Sequence, residues 1–185
     1  NMSYDIYLYK SKSGQPDVDE ANDILDELES GQTVQDSEDL KQKICKALIE
    51  VNPRLSPFVF DYHDIARLQK ISVEEARQKF NHIELNTPED DIATQIIIYD
   101  NCVTLTIPYW YSGDKATNLF DTINHYLKII HKTSGFFVYD PQTGSAFNPL
   151  EKSLEGQNIY EQGSAHIDKL RNESNVQTKP WWKFW

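Results

Sequence analysis

Two strand-like segments joined by a two-residue connection constrain the fold of this chain most. Residues 94–99 and residues 102–109 are rich in β-branched and aromatic side chains, which is typical of strands. Only Asp100 and Asn101 separate them, a length that suits a tight hairpin turn. The pattern predicts an antiparallel β-hairpin and therefore a sheet.

Helical spacing dominates the sequence before the hairpin and returns after it. Predicted strands cover residues 4–9, 82–86, 136–139 and 145–147, and predicted helices cover residues 18–30, 38–50, 64–70, 72–80 and 114–134, with a weak helix at 164–172. The first helix begins after Asp17 as N-cap, with Glu20 as its capping-box partner, and ends before Gly31. The apolar stripes are Val18, Ala21, Leu25 and Leu28 on the first helix, Leu40, Ile44, Leu48 and Val51 on the second, and Ala116, Leu119, Phe120, Ile123, Leu127 and Ile130 on the long one. Ser72 and Glu75 form a second predicted capping box, and Gly135 ends the long helix.

The order of these elements predicts an α+β fold. We expect an antiparallel β-meander with the helices packed on one side of it. Residues 2–150 form one predicted domain. The domain is counted from Met2, where we expect the native chain to begin, and leaves out Asn1. Residues 151–185 are more polar and form a predicted C-terminal extension, which ends in an aromatic cluster of Trp181, Trp182, Phe184 and Trp185.

The charge of the chain excludes several kinds of partner. It has 29 acidic against 18 basic residues and a formal net charge of −11. Nucleic acids and anionic lipids would be repelled by such a surface, so neither is expected as a partner. No apolar run approaches the roughly 20 residues of a membrane helix. Cys45 and Cys102 are expected to be buried reduced thiols, and with no secretory signal at the start they predict a cytoplasmic protein.

Known catalytic motifs are missing from the sequence. It contains no GxSxG, P-loop, GxGxxG or HExxH pattern, so we assign no catalytic residue, metal ligand or cofactor. His63, between Asp61 and Asp64, is the best candidate for a dispersed enzyme site. A surface turn explains that trio more simply, and the enzyme hypothesis stays as an alternative.

An acidic segment carries the strongest functional signal. Residues 17–39 contain ten acids and no Lys or Arg. Asp19 and Asp23, and Asp23 and Glu27, are like-charged pairs four residues apart, and each pair costs a helix about 0.2–0.5 kcal/mol. Such uncompensated local cost indicates either a solubilising face neutralised elsewhere in the fold or a docking surface for a basic protein. The candidate partner-binding residues on this helix are Asp17, Asp19, Glu20, Asp23, Asp26 and Glu27.

Aromatic residues supply the remaining candidates. Trp110, flanked by Tyr109 and Tyr111, is either a cover for the edge of the core or a binding anchor. The aromatic cluster at the end of the chain is expected to dock on its own domain or on a second copy, and the latter would give a homo-oligomer.

Two short segments carry a resemblance to known proteins. Ser3-Tyr4-Asp5-Ile6-Tyr7 and Gly135-Phe136-Phe137-Val138-Tyr139-Asp140-Pro141-Gln142-Thr143-Gly144 resemble small bacterial cytoplasmic proteins, some of which are immunity proteins of polymorphic or contact-dependent toxin systems. With the ten-acid segment and the missing catalytic motifs, the resemblance favours a non-enzymatic binding protein, an immunity protein that neutralises a basic toxin domain by occlusion through the acidic helix. A self-associating scaffold and a dispersed enzyme are the alternative hypotheses.

Overall fold

The structure, a computed structural model, describes residues 3–31, 37–88 and 90–174. Within these residues the chain forms seven strands and six helices. The strands are β1 (Ser3–Tyr9), β2 (Ser56–Pro57), β3 (Ile83–Asn86), β4 (Gln95–Ile98), β5 (Cys102–Pro108), β6 (Phe137–Asp140) and β7 (Ser145–Phe147). The helices are α1 (Val18–Glu29), α2 (Glu38–Val51), α3 (Tyr62–Gln69), α4 (Val73–Lys79), α5 (Asp114–Ser134) and α6 (Gln157–Ser174).

All seven strands belong to one antiparallel sheet in the order β2-β3-β4-β5-β1-β6-β7. The predicted hairpin is β4 and β5, in which Ile98 pairs with Val103 and the Tyr99 amide donates to the Cys102 carbonyl at 2.8 Å. The N-terminal strand β1 lies centrally, between β5 and β6. The α+β class and the hairpin are therefore confirmed.

One face of the sheet carries the main hydrophobic core. Tyr4, Ile6 and Leu8 alternate along β1 and are all fully buried there. All six residues of the predicted α5 stripe are buried in the same core, so that stripe is confirmed. On α2 the prediction holds for Ile44 and Leu48 but is wrong for Val51, which is 44% exposed. Val51 is the last residue of α2, and Leu55 enters the core after the turn that follows it.

The opposite face of the sheet is covered in part by α1. Tyr9, Cys102 and Tyr139 point to this face, because they alternate with side chains of the main core, and Ala21 and Ile24 of α1 pack against them. The expectation that the helices pack on one side is therefore wrong for α1. The buried residues of α1 are Ala21 and Ile24, whereas Val18, Leu25 and Leu28 of the predicted stripe are half-buried.

The predicted helix caps are mostly confirmed. Asp17 caps α1 by accepting the Asp19 and Glu20 amides at 2.8 and 3.0 Å, and Ser72 and Glu75 form the complete capping box of α4. Glu20, however, does not return to the Asp17 amide. That amide donates to the Tyr9 hydroxyl at 2.6 Å, and Glu20 instead accepts the Lys12 amide at 2.8 Å.

The two segments that carry the family resemblance meet in the fold. β1 pairs with β6, and the buried Tyr4 hydroxyl donates to Asp140 Oδ2 at 2.7 Å. Asp140 also accepts the Gln142 amide at 2.9 Å, as expected for an Asp at the start of a turn. The two segments thus build the adjacent inner strands β1 and β6 and the turn that joins β6 to β7.

Part of the predicted C-terminal extension enters the main core. Leu154 and Tyr160 lie in it, and α6 is longer than the predicted helix at 164–172. The Tyr160 hydroxyl donates to the Pro108 carbonyl at 2.6 Å. Gly156 lets α6 approach β1, since a Cβ there would lie 1.6 Å from the Tyr4 hydroxyl oxygen. The aromatic cluster at Trp181–Trp185 lies outside the described residues.

Candidate functional site

Helix α1 is held to the sheet at its first turn. The Tyr9 hydroxyl accepts the Asp17 amide at 2.6 Å and donates to the Asp17 carbonyl at 2.7 Å. Glu20 binds the preceding loop through the Lys12 and Ser13 amides and the Ser11 hydroxyl, and the bond from Ser11 is the main reason for its lowered pKa. Glu20 therefore anchors the loop as well as lying on the outer side of α1.

The outer side of α1 presents the predicted carboxylates to solvent. We call the residues Asp17, Asp19, Glu20, Asp23, Asp26 and Glu27 the acidic face. Asp17, Asp19, Asp23 and Asp26 are exposed, and Glu20 and Glu27 are half-buried. Among the side chains that the structure describes, none of the six forms an ion pair with Lys or Arg. Lys12 belongs to the loop that Glu20 binds, but only its backbone amide contacts that carboxylate.

A row of aromatic side chains lies on the same face of the sheet as α1, and sequence reasoning missed it. We call Phe58, Phe60, Tyr62, Phe80, His82 and Tyr99 the aromatic row. Its ring centroids lie 5.0 Å apart for Phe58–Phe60, 5.0 Å for Phe60–His82 and 5.2 Å for His82–Tyr99. Tyr99 also packs against the small core under α1, so one end of the row reaches the part of the sheet that α1 covers. The sequence did contain a signal for the row, because the aromatic residues Phe58, Phe60 and Tyr62 alternate with other residues.

Polar side chains occupy the sheet surface between these two features. Glu84 of β3 accepts the side-chain amides of Asn86 and Gln95 at 2.9 and 2.8 Å. Burial raises the pKa of the Asp5 carboxyl on β1, and burial with the neighbouring Asp5 charge raises the pKa of Tyr7 to about 12. This surface of the sheet therefore carries two further carboxylates, those of Asp5 and Glu84.

Trp110 is not brought to the acidic face. It follows the Pro108 end of β5, whereas the small core under α1 lies at the Cys102 end. Pro108 lies six positions after Cys102 along the strand, a distance of about 20 Å. Trp110 is half-buried, and its amide donates to the Tyr160 hydroxyl at 3.3 Å, which places it beside α6.

The two carboxylates of the alternative enzyme site have local structural partners. Asp61 is the N-cap of α3 and accepts the His63 and Asp64 amides at 3.1 and 3.0 Å. Asp64 pairs with Arg67 at 2.9 Å on the exposed side of the helix. Within residues 3–31, 37–88 and 90–174, no group of three or more His, Cys, Asp or Glu is arranged to hold a metal ion.

A buried lysine at the start of α2 was also missed from sequence. Lys41 is 1% exposed, and its ammonium donates to the Asn81 carbonyl at 2.8 Å. Glu38 and Asp100 lie 3.2 and 3.4 Å from the same nitrogen. Lys41 therefore ties α2 to the turn of the hairpin. Because its three donors already have partners, it is a structural group.

Both cysteines are buried and unpaired, as predicted. Burial raises the pKa of Cys102 to about 12 and also raises the pKa of Cys45. A raised pKa suppresses the thiolate, which is the reactive form.

Comparison with family models, curated proteins and solved structures finds no significant match to this chain. In the part of the chain that the structure describes, no helix is both long enough and apolar enough to cross a membrane.

Proposed function

We propose that this chain is a non-enzymatic binding protein that docks a basic protein partner on the acidic face of α1. In its most specific form, the proposal is a cytoplasmic bacterial immunity protein that neutralises a basic toxin domain by covering its substrate site. The single observation that supports it is that the six carboxylates lie together without an ion pair to any described base.

The electrostatics of α1 favour an external cation. Residues 17–29 contain seven acids and no base, so the helix is a compact source of negative potential. Clustered charge of one sign steers an oppositely charged partner and raises association rates about 10- to 1000-fold at low salt. A nuclease or another phosphate-binding toxin fits this role, because such proteins need a basic surface.

Binding to the protein encoded by the neighbouring gene tests the proposal. Affinity is measured at about 50 mM and about 300 mM salt, where screening differs strongly. We expect affinity to fall with salt, and to fall at least about tenfold at low salt when the acidic face is reversed. The reversed variant carries Asp19→Lys, Asp23→Lys, Asp26→Lys and Glu27→Lys.

A matched variant controls for net charge. It reverses four exposed acids on other elements and therefore changes the net charge by the same amount: Glu50→Lys, Glu74→Lys, Asp121→Lys and Glu151→Lys. We expect this control to retain most of the affinity, and circular dichroism verifies that both variants fold. Equal losses in the two variants, or unchanged affinity in the first, would contradict docking on the acidic face.

A further inference from the structure

The aromatic row is unusual because six rings in mutual contact are all left accessible to solvent. Phe58 is 54% exposed, and the other five are half-buried. The adjacent Val59 is 86% exposed. Partly exposed clusters of large rings mark interaction surfaces, since an isolated monomer gains more by burying them.

The local charge of the row differs from that of α1. Residues 56–86, which contain five of its six members, have five acids and four bases and are nearly neutral. Burial lowers the pKa of His82 even though Glu84 is close, so this ring carries no charge near neutral pH. A nearly neutral aromatic surface whose Tyr99 end reaches α1, with its exposed carboxylates, has the arrangement of a binding hot spot with a charged rim.

The rings of the row already accept cations from their own chain. The Arg77 guanidinium carbon lies 4.8 Å from the Tyr62 centroid, and the Lys79 nitrogen lies 5.9 Å from the Phe80 centroid. These two cations lie over the rings of Tyr62 and Phe80. Phe58 and Phe60 have no such cation among the described residues and lie on the path from the exposed end of the row to Tyr99.

We infer that the aromatic row is the anchoring half of the partner-binding surface and receives an arginine side chain of the basic partner on Phe58 and Phe60. The inference rests on the proposed function, because the acidic face supplies the basic partner. Arginine is the expected cation, since its planar guanidinium stacks on aromatic rings, whereas the lysine ammonium is compact and strongly hydrated. The acidic face then accelerates encounter, and the row slows dissociation.

Two synthetic peptides of equal length and charge, one alternating Arg with Gly and the other Lys with Gly, test this inference. The acidic face attracts both peptides through its charge, so only a preference that disappears when a ring of the row is removed is assigned to the row. We expect the wild-type chain to bind the arginine peptide about fivefold more tightly than the lysine peptide. Phe60→Leu keeps most of the apolar volume but removes the ring, and we expect it to abolish this preference without changing the affinity for the lysine peptide.

Two further variants keep the test decisive if Phe60→Leu disturbs packing. Phe58→Ala changes a mostly exposed ring and is expected to reduce the preference, whereas Leu68→Ala, which removes an exposed apolar side chain of α3, is expected to leave it intact. Equal binding of the two peptides by the wild type, or an unchanged preference in Phe60→Leu and Phe58→Ala, would overturn the aromatic anchor but not the acidic docking surface. Failure of both peptides to bind at low salt would overturn the proposed function itself.

Discussion

Substitution of Gly156 provides the sharpest test of how α6 docks on the sheet. An alanine Cβ at this position would lie 1.6 Å from the Tyr4 hydroxyl oxygen, 2.7 Å from Tyr4 Cζ and 3.2 Å from Asp140 Oδ2. Neither Tyr4 nor Asp140 can move freely, because both are fully buried and are joined by a 2.7 Å hydrogen bond. Gly156→Ala must therefore displace α6 or break that bond.

The expected free-energy changes follow from these contacts. Overpacking costs about 1–3 kcal/mol, and the 1.6 Å approach places Gly156→Ala at the upper end of that range. Tyr4→Phe removes a hydrogen bond to a buried carboxylate, which costs about 1.5–3 kcal/mol. For a domain of this size, each kcal/mol lowers the melting temperature by about 2–4 °C.

The double variant distinguishes a specific clash from general damage. Tyr4→Phe removes the oxygen at 1.6 Å, so Gly156→Ala should cost at least about 1 kcal/mol less in the Tyr4→Phe background than in the wild type. Urea denaturation followed by circular dichroism measures the free energy of unfolding of the wild type, the two single variants and the double variant. Gln162→Ala, at an exposed position of α6, is the control and should be nearly neutral. Additive free energies, or a Gly156→Ala variant as stable as the wild type, would refute this account of α6.

Three other predictions concern stability. Lys41→Ala leaves Asp100 buried without its cation and should lower the free energy of unfolding by about 3–5 kcal/mol in urea denaturation. Arg67→Ala breaks an exposed ion pair and should lower it by less than about 1 kcal/mol. Equal losses in the two variants would contradict the structural role of Lys41. Burial raises the pKa of Tyr160 to about 12, above its ordinary value near 10, so its stabilising contribution is complete below about pH 10 and is lost as the pH rises towards 12. Melting temperatures should therefore fall across that interval, and tyrosinate absorbance should show late-titrating groups; ordinary titration of all tyrosines with no loss of stability would contradict it. Asp17→Ala should lower stability by about 1 kcal/mol through loss of the α1 cap, while Asp17→Asn should not, and thermal melts of the pair separate capping from charge.

The elements that sequence predicted best are those whose signal is local. The Ser72 and Glu75 capping box, the Asp17 cap and the end of α5 at Gly135 each depend on residues within a few positions of one another. The hairpin turn at Asp100-Asn101 is of the same kind. Propensity and spacing describe such features because no distant part of the chain has to be known.

The features that sequence missed depend on distant contacts. Helical spacing shows that α1 has an apolar side, but it does not show on which face of the sheet that side packs. The second half of the predicted capping box failed because Tyr9 took the Asp17 amide and the loop at Lys12 took the Glu20 carboxylate. Likewise, the polar composition after residue 150 conceals Tyr160, whose burial follows only from the approach of α6 to β1.

The same contacts explain how α1 tolerates its charge. The two like-charged pairs that involve Asp23 cost roughly 0.4–1 kcal/mol together. The Asp17 cap and the packing of Ala21 and Ile24 offset a cost of this size without neutralising any carboxylate on the outer side. The stability of α1 is therefore supplied from its inner side and its first turn, and the charge of the acidic face is left unchanged. The proposed docking of a basic partner requires this division, because α1 has to be folded while its carboxylates are still unpaired.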